Sequence, residues 1–155
     1  MNFLFLGDIV GRAGRIVVIE KLPKIISDHK IDFVIANGEN SAGGYGITPS
    51  ICDELFNCGV DVITSGNHIW DQKETAEYID KEKRLLRPYN LIAPSPGKGF
   101  EIFETKNKSK VGVLNLMGNV FMKKCENVFE AIKKFTSQNK LKENYDYLIV
   151  DFHGE

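Results

Sequence analysis

The segment 31-IDFVIANGEN-40 decides how the rest of the chain is to be read. From Phe33 to Ala36 it is an unbroken apolar run of the kind buried on both faces of a parallel sheet. It then turns polar at once and ends on Glu39 and Asn40. The same change of character recurs elsewhere: FLFLG at 3–7 runs into Asp8, VDVITSG at 60–66 closes on Asn67 and His68, and YLIVDFHGE at 147–155 carries Asp151 and His153 at its end. Between these runs lie helical patterns. Residues 16–29 place apolar side chains at helical spacing, with Pro23 expected to kink the helix or to start its second half. Thr48-Pro49 reads as a helix cap followed by proline at the first helical position, for a helix ending near Cys58-Gly59. Asp71 and Glu74 suggest a capping box for a helix over about 72–80.

The middle of the chain departs from simple alternation. Two strands are expected around 100–104 and 111–116, joined by the polar turn 106-KNKSK-110. A helix is expected within 121–135, with Val128, Phe129, Ile132 and Phe135 on its apolar face. Strand, polar tip and helix in repetition predict a three-layer α/β sandwich. In such folds ligands gather outside the carboxyl ends of the strands. Here those ends carry carboxylate, amide and imidazole groups.

Bulk properties narrow the field. A chain of 155 residues is the size of one domain. Its 20 basic and 21 acidic residues nearly cancel, which argues against a dedicated nucleic-acid binder. The three cysteines cannot all pair with one another and none lies in a CxxC, so free thiols in a reducing compartment are expected. The start MNFLFLGDIVG lacks a basic flank and is broken by Asp8, so it reads as a strand rather than a signal peptide. A cytoplasmic protein is expected.

Asp8, Glu39, Asn40, Asn67 and His153 together offer oxygen and nitrogen donors without thiolate, a set that suits manganese, iron or zinc. A carboxylate such as Glu39 can bridge two ions. Two ions about 3.5–4 Å apart can clamp a phosphoryl group while activating a water. His68 can stand beside them and protonate a leaving oxygen. Each residue also has a structural alternative: Asp8 can cap the next helix, Glu39 and Asn40 can fix a turn, Asn67 can bridge backbone groups, and His68 can pack on Trp70. His153 can be a frayed end, and Asp71 reads as a turn or cap residue. Two spellings carry no weight. Gly7, Gly11 and Gly14 miss the GxGxxG spacing, though Gly11, Arg12 and Gly14 can form a loop near an anion. Ser65-Gly66-Asn67-His68 spells SGNH, but no nucleophilic serine stands in a matching GDS block, since residues 7–9 read Gly-Asp-Ile.

GDIVGRAGR at 7–15, IDFVIANGENSAGGYGIT at 31–48 and TSGNHIWD at 64–71 closely resemble the bacterial YmdB-like family of calcineurin-type metallophosphoesterases. The resemblance implies a metallophosphoesterase-like sandwich and a dimetal phosphodiesterase acting on small phosphodiesters such as 2',3'-cyclic nucleotides; the sequence does not decide whether RNA is a partner through its ends. It implies metal ligation by Asp8, Glu39, Asn40, Asn67 and His153, with Glu39 bridging, and catalysis by His68. Iron is the expected metal, with manganese second. Family members continue past the DFHGE-like motif into a segment with a GTHTHV-like motif, whose two histidines are also ligands and have no counterpart here. The chain therefore resembles the N-terminal part of a family member, and the resemblance implies a weakened metal site, little or no activity of this chain alone, and an apolar edge open to homo-oligomer formation. A non-catalytic metal- or phosphate-binding assembly protein is the alternative, and a phosphomonoesterase a third.

Overall fold

The computed structural model describes residues 1–122 and 124–154. Its strands form two sheets of three strands each. The first joins β1 (Phe3–Leu6), β2 (Phe33–Asn37) and β3 (Val62–Thr64), all parallel and in that order. The second joins β4 (Phe100–Glu104) and β5 (Lys110–Met117) as an antiparallel pair, with β6 (Tyr147–His153) parallel to β5. Helices α1 (Gly11–His29) and α2 (Pro49–Asn57) accompany the first sheet, α3 (Thr75–Tyr78) follows β3, and α4 (Val128–Gln138) packs on the second. Helices thus lie outside and strands in the middle, which is the expected α/β sandwich, with its strand layer divided between two facing sheets.

Three apolar clusters hold these layers. Alternation along β2 sends Val34 and Ala36 towards α1 and α2, where they meet Leu22, Cys52, Leu55 and Ile63. Phe33 and Ile35 point the other way and pack between the sheets on Val62, Val111, Val113 and Ile149. Leu114, Leu116 and Phe135 join β5 to α4. All five residues of β2 are buried, as its unbroken apolar run demands.

Local signals and tertiary outcome agree unevenly. Thr48 caps α2, its hydroxyl accepting from the Ile51 N–H at 3.3 Å, with Pro49 in the first turn. The expected helix over 72–80 contracts to the four residues of α3, whose N-cap Glu74 makes no side-chain cap bond. Asp71 is not part of a capping box there, because its carboxylate is engaged by His68. Helix α1 starts earlier than its apolar spacing suggests and runs through Pro23, but of its apolar residues only Leu22 is fully buried, while Ile16, Val17 and Ile19 are exposed. Phe129, expected on the apolar face of α4, is 77% exposed, and Ala131 takes the buried place beside Phe135.

Strands β1 and β6 are edge strands, and Phe5, Val150 and Phe152 on them are exposed. Cys52, Cys58 and Cys125 are all free thiols, and burial pushes the Cys52 thiol up to about 12. Among the described residues no helix is long and apolar enough to cross a membrane.

Candidate metal centre

Four strand ends converge on one cleft of about 360 Å³, lined by Asp8, Asn37, Glu39, Asn40, His68, Asp151 and His153, with Phe5 and Phe152 at its sides. Its walls are short loops tied to one another by backbone bonds. The loop after β1 is fixed to the tip of β2 by Ile9 N–H to Asn37 O at 3.0 Å and Gly11 N–H to Asn40 O at 2.9 Å. The Gly11–Gly14 stretch is thereby placed at the start of α1, beside Asn40. The loop after β2 is closed by Ser41, whose hydroxyl donates to Gly38 O at 2.6 Å, and by Arg15, which donates to Ser41 O at 2.5 Å. The backbone bonds thus set the positions from which Asp8 and Asn40 project.

All five donors named from the sequence meet here. The Asn40 amide donates to Asp8 Oδ2 at 2.6 Å and lies 3.3 Å from Glu39 Oε1. His153 Nε2 sits 3.0 Å from both Glu39 Oε1 and Asn67 Oδ1. The Glu39 carboxylate hydrogen-bonded to its ring, opposed by burial, raises the His153 pKa above the usual imidazole value, with Asp151 and Asp8 adding to the effect. Glu39 Oε2 also accepts the His68 backbone N–H at 3.2 Å. Glu39 is almost wholly buried, so its two oxygens are committed to this cluster.

Gly66 makes the convergence possible. A Cβ there would lie 2.1 Å from Glu39 Oε2 and 2.4 and 2.6 Å from the His153 ring. The backbone of residue 66 therefore occupies the space in which any side chain would displace both groups.

His68 stands on the wall of this cleft. Its Nδ1 is 2.5 Å from Asp71 Oδ2, which fixes the ring and leaves Nε2 as the nitrogen available to the cleft. Asp71 is the functional candidate that the sequence reading misses. Its spacing of three from His68 was the available signal, but that spacing also suits a cap.

Beneath the cleft the space between the sheets changes from apolar to polar. Asn37 and Thr64 on the first sheet, and Asn115 and Asp151 on the second, are all buried. Asn37 donates to Asp151 Oδ2 at 3.0 Å and accepts the Glu39 N–H at 3.2 Å. Asn115 accepts the Ser65 N–H at 3.0 Å, and its Nδ2 is the one buried side-chain nitrogen or oxygen without a partner among the described residues. This layer spans the two sheets and supports Glu39 from below. Asn37→Leu is expected to strand the Asp151 carboxylate and the Glu39 N–H, at about 1–3 kcal/mol for each buried group left unpaired. A thermal melt checks it: a drop of several degrees is expected, at about 2–4 °C per kcal/mol for a chain of this size.

The cluster fits a cation. Oxygens of Asp8, Glu39 and Asn67 crowd around few protons, since one imidazole nitrogen faces two acceptors and one amide serves two carboxylates. Turning the Asn40 amide about its last torsion exchanges Nδ2 for Oδ1 and converts a proton donor into a ligand. Among the described residues no three His, Cys, Asp or Glu side chains form a metal-binding group by themselves, so a cation here would need amide oxygens such as those of Asn40 and Asn67 as well.

Two facing sheets flanked by helices, with oxygen and imidazole donors gathered at the strand ends, define a calcineurin-type phosphoesterase fold. The chain belongs to the YmdB-like protein family, whose profile matches residues 4–155. It is 38% identical over 155 residues to a Bacillus subtilis 2',3'-cyclic-nucleotide 2'-phosphodiesterase, covering all of this chain and 58% of that protein. It is 37% identical over 161 residues to a Mycoplasma pneumoniae putative phosphatase/phosphodiesterase, covering 56% of it. Among solved structures, a hypothetical protein from Thermus thermophilus matches with a TM-score of 0.90 at 34% identity, covering all of this chain and 58% of the other. A novel phosphatase from Mycoplasma pneumoniae matches with a TM-score of 0.87 at 37% identity, covering 99% of this chain and 55% of the other. The chain thus spans somewhat over half the length of these relatives.

Proposed function

We propose that this chain carries the metal-binding and proton-donating half of a dimetal phosphodiesterase acting on small phosphodiesters, 2',3'-cyclic nucleotides among them. The observation that carries the reading is the convergence of Asp8, Glu39, Asn40, Asn67 and His153 around Gly66, with His68 alongside. Asp8, Asn40, Asn67 and His153 would hold two divalent or mixed-valence ions, iron first and manganese second, with Glu39 shared between them. When bound, the ions supply activation of a water and neutralisation of phosphoryl charge.

The remaining steps belong to this chain's own side chains. Asp71 holds the His68 ring through Nδ1, so that Nε2 is the nitrogen turned to the cleft, where the leaving oxygen needs a proton. The backbone N–H of His68 on Glu39 Oε2 couples the position of the proton donor to that of the shared carboxylate. The short loops around Asp8 and Asn40 keep the donor groups in place before substrate arrives.

The test begins with elemental analysis of the chain purified without oxygen and offered iron and manganese. It then follows hydrolysis of 2',3'-cyclic AMP against a phosphomonoester. About two ions per chain with faster turnover of the diester would support the reading for this chain by itself, whereas one ion or none would mean that ligands beyond these five are needed. Ion binding without turnover of either ester would favour a non-catalytic binding protein, and faster monoester turnover would make it a phosphomonoesterase. The open edges of β1 and β6 favour a homo-oligomer, which sedimentation velocity on the same sample reads directly.

A further inference from the structure

The loop 41–47 exposes one large side chain, which the centre does not use. Tyr45 is 62% exposed, yet its position is strictly held. Its carbonyl accepts from Gln72 Nε2 at 2.7 Å, and its N–H donates to Ala42 O at 3.3 Å. Next to it, Gly46 has φ +75°, and a Cβ there would lie 2.9 Å from Gln72 Cγ and 3.1 Å from His68 O. The glycine lets the loop press against the His68–Gln72 segment where a side chain would force them apart. Tyr45 is thereby set edge-to-face on the His68 ring, with centroids 5.3 Å apart and planes at 75°.

An aromatic ring fastened at a loop tip and leaning on the proton donor is poorly explained by packing alone. Its ring contact is with His68, while the residue as a whole is largely exposed. In a nucleoside 2',3'-cyclic phosphate the phosphorus is fused to the ribose, and the base projects from that same sugar. A phosphate engaged beside His68 therefore carries its base about one sugar's width away, at the neighbouring wall. Base stacking on an aromatic ring is tolerant of base identity, because every base has a π-face.

We propose that Tyr45 is the stacking platform that makes this cleft select phosphate esters bearing a nucleobase over esters of plain alcohols. The proposal rests on the phosphoesterase reading above and adds its specificity. Tyr45 contacts the base and not the reacting atoms, so it is a specificity residue.

The experiment compares, by calorimetry in manganese-containing buffer, binding of adenosine 3'-monophosphate with binding of methyl phosphate. The wild-type chain is expected to bind the nucleotide more tightly. In Tyr45→Ala the ratio of the two affinities should fall about 5- to 150-fold, the equivalent of about 1–3 kcal/mol of stacking at tenfold per 1.4 kcal/mol. Tyr45→Phe should keep the ratio, since the hydroxyl takes no part. A wild-type ratio near one would overturn the proposal, as would an unchanged ratio in Tyr45→Ala or an equal loss in Tyr45→Phe. If both affinities fall together in Tyr45→Ala, the ring merely positions His68 and the proposal again fails. If the wild-type chain binds neither phosphate, the phosphoesterase reading itself fails.

Discussion

Gly66→Ala is expected to cost the chain its bound metal while leaving its fold in place. The added methyl would enter a space already filled by Glu39 Oε2, at 2.1 Å, and by the His153 ring, at 2.4 Å. Neither neighbour can yield cheaply. Glu39 is tied at its own N–H by Asn37 and at its carboxylate by His68, while His153 ends a strand paired along its whole length with β5. The centre therefore opens, and two of its five donors move. Loss of a single supporting contact typically lowers metal affinity 10–100-fold, so displacing two ligands together should exceed about 100-fold. The fold itself should lose about 1–3 kcal/mol, the usual cost of one methyl forced into a filled space. Elemental analysis beside a circular-dichroism melt separates the two effects. Retention of the full metal complement in this variant would mean that Glu39 and His153 are not ligands.

His68→Ala should show the opposite pattern. Its imidazole is bound to Asp71 rather than to the donor cluster, whereas its contact with Glu39 is made by the backbone and survives the substitution. Metal content should stay near that of the unsubstituted chain. Turnover should fall about 10²–10⁴-fold, the range for losing a positioned proton donor. A diester with an acidic leaving group, which departs without a proton, should be affected least. Loss of both ions from this variant would remove His68 from the proposed role and make it part of the metal-binding framework.

What could be read from the sequence was what depends on near neighbours. Thr48-Pro49 announces the start of α2 because a cap is made within three residues. The strand tips at Asp8, Glu39, Asn67 and His153 could be found because each closes an apolar run, and a parallel sheet gathers such ends on one side. The division into two sheets could not be read in this way, since β6 pairs with β5 across a long intervening segment that includes α4. Phe129 was misplaced for a related reason. Helical periodicity names a set of faces, but which face is covered depends on where β5 lies: Phe135, Val128 and Ile132 join its cluster as expected, while Phe129 does not. Asp71 was hidden by a competing local signal, its carboxylate being equally suited to a cap three residues before Glu74. Asp151 was read as a polar strand end, but the buried layer that it forms with Asn37 and Asn115 was invisible, because its members lie in otherwise apolar strands and find their partners on the opposite sheet.

The division of the centre between the sheets has a thermodynamic consequence. Asp8, Glu39, Asn40 and Asn67 come from loops of the first sheet, and His153 from the end of the second. Any cation they held in common would fasten the loop after β1, at Asp8, to the end of β6, at His153. It would thereby act as a reversible cross-link, closing the long loop from Asp8 to His153, and in the chain-entropy account cross-links of wide span remove the most freedom from the unfolded chain. Because the native arrangement alone offers these ligands together, resistance to unfolding should rise logarithmically with free metal once the site begins to fill. Chelator and heat then act on the same equilibrium, and the melting temperature becomes a gauge of metal supply.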